Sequence, residues 1–318
     1  MQRLLLLLLC CLLLTGCTRD PIEPIASDIA ANIPAPIVAD SPVTEKQAVL
    51  WFRYGSEPML APELRALPLA ASENAALAIL RALVHGPGAA SYDLEPLFPP
   101  GTQVISATQS GRVMFVTLSR QIMNSYADEP AAWRDQPIWA AEVPLRRILA
   151  MQSIVATVTE NFPVDEVVIL VNQPAADSLR LRQAYYTLDG DMSLAAPLIR
   201  NESLLLTAPR TAEVILECIM ARNWQRLYLY IARQDAFTGA ARPEETAFIQ
   251  ALEPLPHLLR AEIQGASVIN GHAVVTVSGA YLQDGAAIPF AGHTLHLTQH
   301  KGLWQLGISQ LTGRGTAP

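Results

Sequence analysis

The sequence predicts an α+β chain in two halves, a β-α-β-β-α-β unit followed by an α+β cone of three helices and a curved antiparallel sheet. Three observations predict it. Apolar strand patterns stand around glycine-bearing turns at Ser110-Gly111, Asn270-Gly271 and Lys301-Gly302. Two stretches of the first half carry apolar residues at helical spacing. In the second half the helical patterns come first and the strand patterns last.

In the first half, the run from Ala48 to Tyr54 reads as a strand, and Pro58, Pro62 and Pro68 mark a loop after it. A helix is expected from about Ser72, with Ala76, Ile79, Leu80 and Leu83 inward. It stops at Gly86-Pro87, where glycine can take a left-handed cap and proline cannot continue the helix. Strands over 103–108 and 112–118 form a hairpin about Ser110-Gly111. A second helix over 143–161 directs Ile148, Met151, Val155, Val158 and Phe162 inward and leaves Arg146, Arg147 and Glu160 to water. A strand over 166–171 closes the unit, and one sheet with both helices on one face buries both stripes economically.

Residues 174–208 hold a candidate hairpin at Asp189-Gly190-Asp191 and then lose periodicity before Pro209. Helices are expected over 211–221, 224–233 and 243–253, the last opened by Pro243 and ended by Pro254 and Pro256. Strand patterns over 258–265 and 266–279 are broken at Asn270-Gly271, a type I′ hairpin signal. Strands over 294–298 and 303–308 meet at Lys301-Gly302.

Ahead of both halves, Arg3 precedes an apolar run from Leu4 to Leu14 that closes on Leu14-Thr15-Gly16-Cys17. A helical membrane span needs roughly 20 apolar residues, so this run suits the core of a signal peptide instead. Small Thr15 and Gly16 let a lipoprotein signal peptidase reach the bond before Cys17, whose thiol would carry a diacylglyceryl anchor. The expected product is lipid-anchored on the extracytoplasmic face of the cell membrane. An ordinary secretory signal or an uncleaved anchor is the alternative. From Thr18 to Thr44, Pro21, Pro24, Pro34, Pro36 and Pro42 stand among small and acidic residues, which reads as a tether. Ile22, Ile25, Ile29, Ile33 and Ile37 are unusual there and offer a second reading, docking on a partner.

Composition excludes several classes. With 51% hydrophobic and 16% charged residues the chain is globular, even with 24 prolines. Its net charge of −7 becomes −8 once Arg3 is removed, and no Lys/Arg cluster is present to neutralise successive phosphates, so nucleic acid is not an expected partner. Cys10 and Cys11 leave with the signal and Cys17 is the lipid site, which leaves Cys218 without a disulfide partner. Its apolar neighbours Val214, Ile215 and Ile219 predict a buried, inert thiol.

Several stretches of residues 48–172 resemble the GerMN domain of bacterial sporulation and spore-germination lipoproteins of the GerM type. They are Leu50-Trp51-Phe52-Arg53-Tyr54, Leu83-Val84-His85-Gly86-Pro87, Leu97-Phe98-Pro99-Pro100-Gly101-Thr102, Phe115-Val116-Thr117-Leu118-Ser119, the stretch Gln152 to Thr159, and Val167 to Val171. The resemblance implies a non-enzymatic domain, similar to the ring-building folds of secretion systems, working between mother cell and forespore. The second half departs from a second GerMN copy. Trp224 to Ile231 and Leu303-Trp304-Gln305-Leu306 resemble, more weakly, an NTF2-like or cystatin-like domain. The organisation expected is a signal peptide over 1–16, Cys17 and tether over 17–44, a GerMN domain over 45–173, a linker with hairpin over 174–203, and an NTF2-like domain over 204–318.

No Gly-x-Ser-x-Gly elbow, phosphate loop or His-Glu-x-x-His motif is present, so no catalytic residues, metal or cofactor are expected. On one strand His296 and His300 face opposite to His293, which opposes a shared metal site. His85 reads as a partner of helix-end carbonyls, and adjacent Asp165 and Glu166 point apart on a strand. The segment 121–142 is more informative, because Tyr126, Trp133, Ile138 and Trp139 stand among Asp128, Glu129, Arg134 and Asp135. Aromatics with arginine suit either a loop folded on its own domain or a partner patch built on Tyr126, Trp133 and Trp139.

These readings, with what the resemblance implies, describe a membrane-tethered structural or assembly lipoprotein of sporulation or spore germination. Its partners are the membrane, through the N-terminal lipid, and proteins of an envelope complex, including further copies of itself. Two alternatives are an accessory lipoprotein that binds an envelope sensor kinase and a small-molecule binder using the cone pocket. Convergent acids or histidines in a cavity favour the last; filling by Trp224, Tyr228, Trp304 and aliphatic chains opposes it.

Overall fold

A computed structural model describes residues 43–91, 93–173, 176–187 and 193–312. Leu14, Thr15, Gly16 and Cys17, read above as a lipid box, the isoleucines of the expected tether and the candidate hairpin at Asp189-Gly190-Asp191 lie outside them. The described residues form one compact unit.

Strand β1 (Val43–Tyr54) begins five residues earlier than predicted and pairs along its length with β2 (Leu60–Ala70). The stretch predicted as a loop is therefore a strand, despite Pro62 and Pro68. The reason is parity. Leu64 donates its N–H away from β1, to the Lys301 carbonyl at 3.1 Å. Pro62 and Pro68 share that parity, so the N–H that proline lacks removes no rung of the β1 ladder.

Helix α1 (Ala75–His85) is capped by Asn74, whose side chain accepts from the Leu77 N–H. Its inward residues Ala76, Ile79, Leu80 and Leu83 are buried as predicted. Gly86 ends it with φ 110° and ψ 178°, which is positive φ but extended rather than left-handed helical. Short β3 (Leu94–Glu95) pairs with the end of β1. Strands β4 (Val104–Ser110) and β5 (Val113–Leu118) form the expected hairpin, with Gly111 at φ 60°.

Helix α2 (Pro137–Asn161) starts six residues earlier than predicted and runs through Pro144. Pro137 sits in its first turn, where a missing N–H costs nothing. Met151, Val155 and Val158 are buried as expected, but Ile148 is 38% exposed and Arg147 is buried rather than solvated. A single stripe fails because α2 is buried on more than one side. Along β1 it presents Ser153, Thr157 and Asn161 at intervals of four. Ser153 Oγ donates to the Trp51 carbonyl at 2.6 Å, and the Trp51 N–H donates to Thr157 Oγ1 at 3.1 Å. Asn161 receives the Val49 N–H at 3.2 Å and donates to the Val49 carbonyl at 2.8 Å. These side chains continue the edge of β1 beyond β3, as a neighbouring strand would.

The chain returns as β6 (Glu166–Gln173), parallel to β5, and residues read as a linker add β7 (Ala176–Arg180) and β8 (Leu198–Ile199), both paired to β6. Short helix α3 (Ala184–Thr187) lies between them in sequence. Instead of one sheet, the first half thus has two: β2-β1-β3, and β4-β5-β6-β7 with β8 on β6.

Helix α4 (Ala208–Met220) starts before its predicted position because Thr207 caps it and Pro209 occupies its first turn. Helix α5 (Trp224–Tyr228) is shorter than predicted. It ends there because the following backbone pairs elsewhere: the Leu306 N–H donates to Tyr230 O and the Ala232 N–H to Leu306 O, both at 2.9 Å. Helix α6 (Glu245–Leu252) follows. The sheet then runs β9 (His257–Ile269), β10 (His272–Gln283), β11 (Ala286–His300) and β12 (Leu303–Leu306), antiparallel in the order β12-β11-β10-β9, before α7 (Ser309–Thr312). Asn270 and Gly271, at φ 48° and 75°, make the predicted I′-type turn. An additional Asp284-Gly285 turn with φ 50° and 78° joins β10 to β11, which makes β11 far longer than expected.

The two halves share one apolar core. Leu50, Phe52, Ile79 and Val155 belong to the same cluster as Ile215, Leu227, Phe248, Val275 and Leu306. Backbone bonds cross the junction as well, from the Leu206 N–H to Leu60 O at 2.8 Å. Gly302, at φ 99°, lies so close to β2 that a Cβ there would stand 2.5 Å from the Pro62 carbonyl oxygen. No helix among the described residues is long and apolar enough to cross a membrane.

Candidate functional site

A charge stands out in the apolar strand β1. Arg53 is only 4% exposed, and a buried arginine demands partners. Its Nε donates to Glu57 O and its Nη2 to Ser56 O, both at 2.9 Å, closing the turn after β1. Across the junction with α2 it holds Glu142 through both guanidinium ends, one bond being 3.1 Å. Arg146, one helical turn on, binds the same carboxylate at 2.7 Å and Asp128 at 2.7 Å. Burial pushes the Glu142 carboxyl upward, and the bonds from Arg53 and Arg146 overcome that and hold it below the usual carboxylate range.

The aromatics of segment 121–142 surround this network. The Arg146 guanidinium lies 5.5 Å from the Tyr126 ring centroid and 5.4 Å from that of Trp139. Arg134 covers Trp133 at 4.3 Å. Arg147 lies over Tyr185 at 4.9 Å and 3.9 Å from Glu129, and Tyr185 donates to the Ile122 carbonyl at 2.5 Å. Of the residues predicted for a partner patch, Tyr126 and Trp133 are buried, Trp139 is half-buried, and neighbouring Ile138 is 81% exposed. The segment itself is two short 3₁₀ turns, Arg120–Met123 and Trp133–Asp135, and the first turn of α2.

On the opposite side of the β1–β2 turn, Glu57 binds Arg226 of α5 at 2.8 and 2.6 Å. The Tyr54 ring packs at a tilt against that of Tyr230, centroids 5.4 Å apart, and its hydroxyl donates to the Leu229 carbonyl. Asp235 is a second buried hub, accepting from the Phe237, Thr238 and Ser309 N–H groups and from Ser309 Oγ at 2.6–3.0 Å. Burial opposes its charge, but the bonds from Ser309, Thr238 and Phe237 lower its pKa to about 2. Sequence reasoning missed Arg53, Glu57, Glu142, Arg226 and Asp235, whose side-chain partners are distant in the chain. The one usable signal was a charge inside an apolar strand run.

The remaining expected residues are placed as follows. His293 and His296 lie on opposite faces of β11, beside Phe290 and Phe237 respectively. No group of His, Cys, Asp and Glu among the described residues is arranged to hold a metal ion. Cys218 is buried, which pushes its thiol up to about 11. Asp165 pairs with Arg112 at the surface. The space between α4–α6 and the last sheet holds Trp224, Leu227, Tyr230 and Phe248, all buried, with Tyr228 and Trp304 half-buried against them. His85 is exposed and lines an open cleft beside Phe98 and Pro99-Pro100-Gly101.

Residues 50–176 match the family model Germane: Sporulation and spore germination. The match supports a GerMN-type domain, associated with sporulation and germination, over the segment that carries both the arginine–aromatic corner and the cleft. No curated protein matches the chain. Among solved structures, the tandem GerMN domains of the sporulation protein GerM from Bacillus subtilis align at 15% identity and TM-score 0.33, covering 54% of this chain and 51% of that one. The chain thus spans about half the length of that structure. A putative lipoprotein from Clostridium perfringens aligns at 16% identity and TM-score 0.28, covering 50% of this chain and 89% of that one. The first GerMN domain of GerM from Bacillus subtilis aligns at 17% identity and TM-score 0.30, covering 49% and 98%.

Proposed function

We propose that this chain is a lipid-anchored, extracytoplasmic assembly protein of sporulation or spore germination, in which the GerMN-type half makes protein contacts and the second half stiffens it. The match of residues 50–176 to the sporulation and germination family carries this reading. The Leu14-Thr15-Gly16-Cys17 box supports the anchor: Cys17 receives the lipid and the chain works outside the cytoplasm, tied to the membrane. A structural rather than chemical role is supported by how the buried carboxylates are used. Glu57 is committed to Arg226, Glu63 to Arg65 and the Gly88 N–H, and Asp235 to Ser309 and a turn backbone. The shared core and the bonds across β2 support a stiff body, which suits a spacer in an envelope complex.

Two measurements test the reading. Cells fed labelled palmitate incorporate it into the chain, and Cys17→Ser abolishes the label and moves the protein out of the membrane fraction. Affinity capture from sporulating cells, read by mass spectrometry, recovers channel or germination components. Recovery of a sensor kinase alone, or a label that persists without Cys17, overturns it.

A further inference from the structure

The cleft at the end of α1 is built from two stretches already singled out in the sequence, Leu83 to Pro87 and Leu97 to Thr102. Pro99-Pro100-Gly101-Thr102 forms a turn of the type II kind: Gly101 takes φ 80° and the Thr102 N–H donates to Pro99 O at 3.2 Å. Thr102 Oγ1 donates to the same carbonyl at 2.7 Å, so that wall is fixed by two bonds and two proline rings. Helix α1 supplies the other wall through Arg81, Val84 and His85, one turn apart on one face. Phe98 and Val104 complete a cleft of about 620 Å³, within the range of ligand sites.

Its charge sets it apart from the rest of the molecule. No aspartate or glutamate lines it. Among the described residues, neither Arg81 nor His85 has an ion-pair partner within 4.0 Å, although the chain carries a net charge of −7. Arg120 stands beside this wall, one residue before Gln121, the side chain against which Gly101 packs. It too has no acidic partner among the described residues. A cleft lined by one unpaired arginine, with no acid and with an aromatic and proline-lined wall, fits an extended chain that carries carboxylates.

We infer that this cleft, with Arg81 at its rim and Phe98 on its wall, is a docking site for an extended acidic peptide segment of a protein partner. The inference deepens the assembly reading and rests on it for the nature of the partner. Carboxylates of the partner pair with Arg81, and its backbone lies along Phe98 and the Pro99-Pro100 wall.

The test is a fluorescence-anisotropy titration of the full chain, purified in detergent, with fluorescein-labelled hexaglutamate. Expected are saturable binding, weakening with added salt, and at least a tenfold loss of affinity in Arg81→Ala. Arg81 is exposed, so this variant keeps its melting temperature, while Arg260→Ala on β9, which does not line the cleft, leaves binding unchanged. No saturation up to millimolar peptide, equal affinity of the Arg81→Ala variant, or displacement by inorganic phosphate at the same concentration as by unlabelled hexaglutamate each overturns the proposal. The titration uses purified chain alone, so its failure leaves the palmitate and capture results to judge the assembly reading separately.

Discussion

The arginine–aromatic corner and the cleft beside α1 both combine arginine with aromatic residues, yet they use the charge differently. In the corner, Arg53 and Arg146 share Glu142, Asp128 closes the chain, and Arg53 is almost wholly buried. In the cleft, Arg81 and His85 stand in solvent with no acid within ion-pair reach among the described residues. Charge that is neutralised within the chain fixes structure; charge left open is free for another molecule. The contrast also bears on the two readings of segment 121–142, and favours a loop folded on its own domain. Two of the three aromatics predicted for partner binding, Tyr126 and Trp133, are spent on the chain's own arginines and core.

This contrast can be broken most directly at Arg53. Arg53→Ala leaves Glu142 with one arginine and the Ser56 and Glu57 carbonyls without their donor, and should cost about 3–5 kcal/mol in urea unfolding. A loss below about 1 kcal/mol would mean that the corner is not integral. Next in size is the junction: Gly302→Ala adds both a strained positive φ and a clash with the Pro62 carbonyl, for about 3 kcal/mol, read from the same unfolding curve. If the halves are one cooperative body, the variant still unfolds in one transition, by fluorescence and circular dichroism alike. Thr157→Val keeps the shape but strips the Trp51 N–H of its acceptor, and should cost about 1–3 kcal/mol.

Asp235 tests the same contrast through pH. Its folded pKa of about 2 lies below the ordinary value of 3.8, so its contribution is fully present above about pH 4 and disappears as pH falls through 2. Asp235→Asn should therefore flatten the dependence of stability on pH between 4 and 2, and an unchanged slope would remove it from the acid response. The smallest effect is expected at the cleft, where Arg81→Ala should alter stability by no more than about 0.5 kcal/mol. A larger loss would place Arg81 with the structural arginines.

Much of the fold was legible because it is written locally. The stripe Ala76, Ile79, Leu80 and Leu83, the cap at Gly86 and the turn at Asn270-Gly271 each depend on neighbours within one turn of chain. What escaped depends on distant partners. Strand β2 was hidden because its prolines are tolerable only when β1 lies on one particular side. The burial of Arg147 on α2 was hidden because it arises through Tyr185 and Glu129, not through helical period. The Asp284-Gly285 turn was an overlooked local signal, and with it the true extent of β11 followed. At the candidate site, the aromatic segment was legible by composition, whereas Glu142, 89 positions from Arg53, was not.

The row of Ser153, Thr157 and Asn161 along β1 has a kinetic corollary. The Val49 and Trp51 amides are held by side chains of a helix, not by another strand. In deuterated solvent their exchange should therefore time the breathing of α2, while alternate amides held by β2 time the parting of two strands. One strand thus carries two clocks, and a ligand that quiets the helix would slow one of them and leave the other running.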